Sequence, residues 1–579
     1  MAIFDEQKQK ERLEEFHKKE EEDLVSILSE RYGLPYLDLS GIAINGDALK
    51  LVPENIAREV GLAPFQVTGK KLKVAILSPK NEKVKAIVDD MTRKGYLVTL
   101  YMSSRGSLEK AWKVYKEVSF ATKTEAGVFD VSSDEINSLL SEVTGMDDLN
   151  KLINEITAGT QRHKISRMLE IILAGSIALS ASDIHIEPEE KRTRLRFRLD
   201  GVLQDLSFLN EETYKFLLSR IKLLSGLKLN VKDVSQDGRF SIKISAGKLA
   251  KEGGEVVEVE IRTSIIPGNY GESIVLRVLN PETISVSFEN LGIEEKLLKI
   301  LEKEIKRPEG LILTTGPTGS GKTTTLYAFL RKIYDPGSKI ITIEDPIEYH
   351  LGGITQTQVS RDKGYTFLEG LRSAMRQDPD IIMVGEIRDE ETASTAIQAA
   401  LTGHLVFSTL HTNSAAGVIP RLIDLKVNPK IISSALKVSL AQRLVRKLCD
   451  SCKVADALTE NERGLIGKVL GGARADVKEK YGNLENAKIW RVGGETAEGG
   501  LGCSKCHYTG YRGRVGVFEG ILTDENIEKV SIINPSEREV KKAALGQGIL
   551  SLKEDGIVKV LSGVTTLEEV DRVVDLDAE

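Results

Sequence analysis

Eight consecutive residues, Gly316, Pro317, Thr318, Gly319, Ser320, Gly321, Lys322 and Thr323, fit the pattern G-x-x-x-x-G-K-[ST]. Glycines at these places let successive backbone N–H groups turn inward around phosphate oxygens. Lys322 can then reach the β- and γ-phosphates, and the Thr323 hydroxyl can ligate Mg²⁺. Thr324 follows as a further candidate beside the nucleotide. An apolar run, Leu311 to Leu313, enters the loop, and a helix-forming stretch, Lys322 to Ile333, leaves it. The positive end of that helix faces the same anion. This strand–loop–helix context sets the octapeptide apart from a chance match and makes ATP with Mg²⁺ the expected ligand.

Binding is not hydrolysis, which also needs acids that hold the metal and orient water. Two apolar runs supply them. Lys339 to Ile343 ends in Glu344, Asp345 and, three residues on, Glu348; Ile381 to Val384 ends in Gly385 and Glu386. Glu344 and Asp345 are expected beside the nucleotide, Glu348 on the water and Glu386 on the Mg²⁺ side, with the last two roles exchangeable. A further strand, Leu405 to Thr409, ends next to His411. An isolated histidine is more often structural, but at a strand end in the same sheet it can sense the γ-phosphate.

The four cysteines form two C-x-x-C pairs, Cys449/Cys452 and Cys503/Cys506, and none lies elsewhere. In a protein without a secretory leader this pattern reads as metal binding before disulfides. Four thiolates close a tetrahedral Zn²⁺ site with no open position, so the zinc is expected to be structural. The bland alternative is four reduced thiols. The gap of roughly fifty residues between the pairs implies a long excursion pinned at its base.

These groups need a scaffold of several domains, which 579 residues supply. Residues 1–117 read as a charged helix followed by a small α/β domain, with short alternating runs such as Lys71 to Leu77. Residues 118–160 are rich in Ser, Thr, Asp and Glu and read as a flexible acidic linker with one or two weak helices. Residues 161–282 form an α/β unit that opens with an amphipathic helix, His163 to Ser180. It carries arginines near turns: Arg198, Arg220, Arg239, Arg262 and Arg277. Residues 283–446 hold the phosphate site, 447–515 the cysteine insert and 516–579 a helical tail. A net charge of −6 argues against a protein coated in nucleic acid. No apolar run approaches the ~18 residues that span a bilayer, and Met1 to Asp23 has no signal-peptide core, so a cytoplasmic location is expected.

Four blocks in order, GPTGSGKT, ITIEDPIEY (Ile341 to Tyr349), DPDIIMVGEIRD (Asp378 to Asp389) and TGHLVFSTLHTN (Thr402 to Asn413), resemble the secretion ATPase superfamily. SDIHIEP (Ser182 to Pro188), RLDG (Arg198 to Gly201), QDGR (Gln236 to Arg239) and the cysteine insert are similar to the branch containing type IV pilus assembly and type II secretion ATPases. Retraction ATPases of the pilus normally lack the insert and the N-terminal domain. The resemblance implies a RecA-like P-loop core preceded by a PAS-like α/β domain, a small N-terminal α/β docking domain and a tetracysteine zinc insert. It also implies a homohexamer that hydrolyses ATP at subunit interfaces. Arginines from the second domain would reach a neighbour's nucleotide, by motif position Arg198 and Arg239, with Arg220 and Arg277 behind them. Expected partners are an inner-membrane platform protein and an accessory membrane-associated docking protein at the N-terminal domain, without direct nucleic acid. Met1 to Lys50 holds no RLG repeat of the kind that marks cyclic di-GMP-binding relatives, so that regulation is not expected.

Overall fold

A computed structural model describes residues 21–39, 42, 44–49, 51–68, 70–115, 128–129, 139, 143, 145–158, 164–245, 256–280, 286–485, 487–494 and 502–577. The chain divides into two compact units, Met1–Lys123 and Thr124–Glu579. Of the expected N-terminal helix, residues 21–32 are described and helical, while residues 1–20 lie outside the described set, as does most of the expected linker.

In the first unit three strands, Leu62–Thr68, Lys71–Ile76 and Leu97–Met102, form one sheet with an antiparallel and then a parallel pairing. Helices Glu54–Val60, Glu82–Arg93 and Arg105–Tyr115 accompany it. Phe65, Leu72, Val74, Ile76, Leu108 and Trp112 are buried together. The Trp112 indole N–H meets the Leu62 carbonyl at 3.0 Å, so its one polar atom is satisfied inside the core.

The second unit begins with a mostly antiparallel sheet. Its strands run in the order Val128–Phe129, Gln236–Ser245, Val256–Gly268, Gly271–Leu279, Asp183–Pro188, Thr193–Leu199 and Val202–Leu209. Helices Lys164–Ala178 and Glu211–Leu224 accompany it. Strand Thr193–Leu199 alternates strictly: Leu195 and Phe197 are buried, whereas Arg194, Arg196 and Arg198 face outward. Three strands here, Val128–Phe129, Val202–Leu209 and Gln236–Ser245, were not expected from sequence, and the first of them falls in the expected linker.

The phosphate-site sheet follows. Six strands are parallel, in the order Thr355–Gln358, Ile340–Glu344, Ile381–Val384, Leu405–Leu410, Gly310–Thr315 and Leu436–Leu448, and Tyr511–Leu522 closes the edge antiparallel. The inner parallel strands are buried on both faces, which is why they read as continuous apolar runs. Thr315 is level with Leu410 and Ala441, and Val384 with Ile343 and Ser408. The strands therefore end together, and the loops bearing Gly316, Asp345, Glu386 and His411 leave from one edge, where open α/β sheets bind ligands.

Between the cysteine pairs the excursion is ordered over its described residues. Strands Lys453–Ala457 and Lys488–Val492 pair antiparallel and enclose helices Glu460–Leu470 and Ala475–Tyr481. Ile466, Leu470, Val477 and Ile489 join the main core, and Arg474 pairs with Glu294 at 2.6 Å.

Candidate nucleotide site and cysteine centre

The phosphate loop is shaped by what its glycines lack. Gly316 has φ +148°, and a Cβ there would lie 2.6 Å from both the Gln442 carbonyl and the Ser320 hydroxyl. Gly321 has φ +91°, and its Cβ would meet the Gln442 side chain at 2.7 Å. Both positions require glycine. The Ser320 hydroxyl is buried within the curve and takes no hydrogen bond among the described residues, as suits a cradle that receives an anion. Helix Lys322–Ile333 starts directly from the loop. The Lys322 ammonium donates to the carbonyls of Gly316 at 2.8 Å and Pro317 at 3.0 Å. Burial pushes its pKa down, against the pull of Glu386 and with a further push from Arg443.

The acids fall into three settings. Glu344 is 2% exposed. It accepts from the Tyr327 hydroxyl, from Thr342 Oγ1 at 2.5 Å and from Gln356 Nε2 at 3.1 Å, and burial holds its carboxyl above the usual range. Glu344 thereby ties the P-loop helix, through Tyr327, to the neighbouring edge strand. Asp345 lies further out, with Arg361 at 3.5 Å. Glu348 accepts from Arg262 Nη1 at 3.1 Å, and Arg262 Nη2 also donates to the Ile347 carbonyl at 2.5 Å. Glu386 stands between Arg388 at 2.5 Å and His411 Nε2 at 3.5 Å, which brings the residues expected at the ends of two strands into contact.

The arginines form a pattern that only the register reveals. Arg239 is opposite Arg262, Arg262 opposite Arg277, Arg277 opposite Asp183, and Asp183 opposite Arg198. Directly paired residues point to one face, so four arginines and one aspartate make a row across five strands. Asp183 bridges Arg198 at 3.3 Å and Arg277 at 3.2 Å. Arg262 has Glu260 and Glu348, whereas Arg239 is exposed and has no ion pair among the described residues. Like charges directly opposite destabilise a sheet, and a row with this excess of cations is suited to an anion. Arg220 lies off the row on helix Glu211–Leu224, where burial pushes its pKa down. The turn of the RLDG block serves a separate purpose. Asp200 accepts from the Gly513 N–H at 2.9 Å, joining this sheet to the P-loop sheet.

Two site-lining residues were missed from sequence. Gln442 touches the loop through its carbonyl and amide, and its Oε1 accepts from Thr325 at 2.8 Å. Arg443 donates to the Asn413 carbonyl at 2.9 Å and lies beside Gly316. The available signal was a Gln-Arg pair interrupting the apolar strand Leu436–Leu448.

All four cysteine sulfurs lie within 4.8 Å of one another. Three separations are 3.9, 3.8 and 3.9 Å, for Cys449–Cys503, Cys452–Cys506 and Cys503–Cys506. A zinc–sulfur bond of ~2.3 Å in tetrahedral geometry gives an edge of about 3.8 Å, so the donor set fits Zn²⁺. Cys506 Sγ accepts from the backbone N–H of Cys503 at 3.2 Å and of Gly510 at 3.3 Å; against the raising effect of burial these bonds bring its thiol down to about 7.

Glycine-shaped loop, lysine, strand-end acids and parallel sheet define a P-loop nucleoside-triphosphatase. The chain belongs to the Type II/IV secretion system protein family, which it matches over residues 159–572, and residues 32–116 match the MshEN domain. It is an ATP-hydrolysing enzyme. It is 36% identical to the type IV pilus assembly ATPase PilB of Myxococcus xanthus, covering 95% of this chain and 91% of that one. It is 44% identical to the type II secretion system protein E of Pseudomonas aeruginosa, covering 71% of this chain and 75% of that one. The fold is shared with the Yersinia pseudotuberculosis ATPase DotB at a TM-score of 0.50 and 19% identity, covering 71% of this chain and 94% of that one.

Proposed function

We propose that this enzyme is a homohexameric motor that powers type IV pilus assembly, working at the cytoplasmic face of the membrane on a platform protein. The observation that carries this reading is coverage. Likeness to the pilus assembly ATPase extends over 95% of the chain, whereas likeness to the type II secretion proteins, although higher in identity, extends over 71%. That higher identity supports a second reading, a motor for a type II secretion pseudopilus. Among the described residues no helix is long and apolar enough to cross a membrane, so contact with the platform would be peripheral.

In this reading the loop Gly316–Thr323 and Thr324 hold the triphosphate, Lys322 neutralises its charge, and Glu386 and Thr323 stand on the Mg²⁺ side. Glu348 positions water, His411 senses the γ-phosphate through Glu386, and Glu344 with Asp345 shapes the loop between them. Arg198 and Arg239, with Arg277 beside them in the row, face the nucleotide of a neighbouring subunit, where an arginine finger stabilises transition-state charge, while Arg262 is engaged by Glu348 of its own chain. Zn²⁺ on Cys449, Cys452, Cys503 and Cys506 would pin the insert, and the N-terminal unit would dock an accessory membrane-associated protein.

The test is K322A in the native host. Loss of surface pili with normal protein export supports pilus assembly. Loss of export with intact pili supports the secretion reading, and neither defect would refute both.

A further inference from the structure

The loop after the histidine strand is held at four successive residues by four different elements. The Thr412 N–H donates to Thr315 Oγ1 at 2.8 Å, from the residue directly before Gly316. The Asn413 carbonyl accepts from Arg443 Nη2 at 2.9 Å. The Ser414 hydroxyl donates to Glu537 Oε1 at 2.6 Å, at the start of helix Glu537–Ala544. The Ala415 N–H donates to Glu519 Oε1 at 2.8 Å, and the other Glu519 oxygen accepts from the Leu552 N–H at 3.4 Å, at the start of helix Leu552–Leu561. One side of this junction is the phosphate loop and the other is the C-terminal helical region.

Arg443 occupies the phosphate side. Its Nη1 donates to the Gln442 carbonyl at 3.0 Å and lies 3.2 Å from the place a Cβ on Gly316 would take. It is half-buried, burial pushes its pKa down, and the acid that acts against this is Glu519, whose own carboxyl burial holds above the usual range. A guanidinium offers five N–H donors. Bonds to an anion are roughly twice as strong as bonds to a neutral carbonyl. A phosphate seated in the loop therefore competes with the Asn413 carbonyl for Arg443, and its departure returns Arg443 to Asn413.

We propose that Arg443 is a positioning residue of the ATPase cycle, which exchanges its hold on the Asn413 carbonyl for phosphate and so transmits nucleotide state through the 412–415 loop, Glu519 and Glu537 to the C-terminal helices. It acts through the loop rather than on the reacting atoms. Coupling through such a switch is worth about 2- to 30-fold.

The test uses the full chain with a non-hydrolysable ATP analogue and Mg²⁺, read by hydrogen exchange and steady-state kinetics. In the wild type the analogue changes exchange in residues 412–417 and in both helices. R443A is expected to bind the analogue within about 10-fold of wild type, to lose the helix response and to lower kcat more than it raises KM. R443K keeps the charge without the planar fork and is expected to restore binding but not the helix response. E519Q leaves one acceptor oxygen where Glu519 uses two, for the Ala415 and Leu552 N–H groups, so it breaks the relay at one of them and is expected to weaken the response; it carries the test should R443A fail to fold. A full helix response in the arginine variants, or in E519Q should R443A not fold, would overturn the proposal. So would its absence in the wild type.

Discussion

Arg262, on strand Val256–Gly268, and Glu348, in the loop after strand Ile340–Glu344, lie 86 residues apart in sequence, yet the guanidinium of one donates to the carboxylate of the other at 3.1 Å. The arginine belongs to the basic row, and the glutamate is the candidate for orienting water. One contact thus joins the basic row to the proposed water-positioning residue within one chain. E348Q should lower kcat by about 10²- to 10⁴-fold with nucleotide affinity little changed. A single-turnover assay beside an equilibrium binding measurement separates the two, and unaltered kcat would remove Glu348 from the reaction.

The arginine row leads to a subunit-mixing experiment. R239A and K322A should each disable one side of the proposed shared site. If the row acts on a neighbour, mixing the two inactive proteins rebuilds some sites with both groups, and ATPase activity reappears. Arginine fingers contribute about 10³- to 10⁵-fold, so even a minority of rebuilt sites is measurable. Absence of any recovery across mixing ratios would place the arginine in its own subunit's site.

The cysteine centre should bind one zinc per chain, measured by elemental analysis of protein purified without added metal. C506S should lose the zinc and lower the melting temperature by roughly 5 °C, since removing a metal that binds only the folded state removes its linkage stabilisation. An equal melting temperature with full zinc content would show that Cys506 is not a ligand.

Glu569 gives a pH prediction with a definite sign. Burial pushes its carboxyl up, but hydrogen bonds from Arg446 and Arg572 outweigh it and hold the group at about 2, below the ordinary 4.5. Protons therefore bind the unfolded chain more readily at this residue. Its stabilisation is complete above about pH 4.5 and is lost as pH falls toward 2. The melting temperatures of wild type and E569Q should differ most at neutral pH and converge as pH falls from about 4.5 toward 2. A constant gap would exclude the linkage.

How much of this was legible beforehand depended on whether the signal was local. The phosphate loop and its helix, Lys322–Ile333, were readable because glycine, lysine and apolar periodicity all sit within twenty residues. The strand-end acids followed from buried parallel strands that write themselves as apolar runs. Strand Gln236–Ser245 was not readable, since its opening Gln-Asp-Gly-Arg has the composition of a turn and is extended only because it pairs with Val256–Gly268. The arginine row was equally hidden. Each arginine reads as a solvated side chain, and alignment arises from strand register, which no single segment encodes. Gln442 and Arg443 were passed over because their importance depends on the loop that folds against them.

Strand Leu436–Leu448 leaves the sheet and Tyr511–Leu522 returns beside it, with Leu448 opposite Tyr511. Everything between is an excursion whose two ends are neighbours. Its length is therefore not set by the sheet, although Ile466, Leu470, Val477 and Ile489 hold it to the main core and Arg474 to Glu294: residues added at the exposed Gly482 and Asn483 should not shift a pairing near the phosphates. Evolution can lengthen or recast this arm while the engine stays in tune, and a reporter spliced into the same place should ride on a working enzyme.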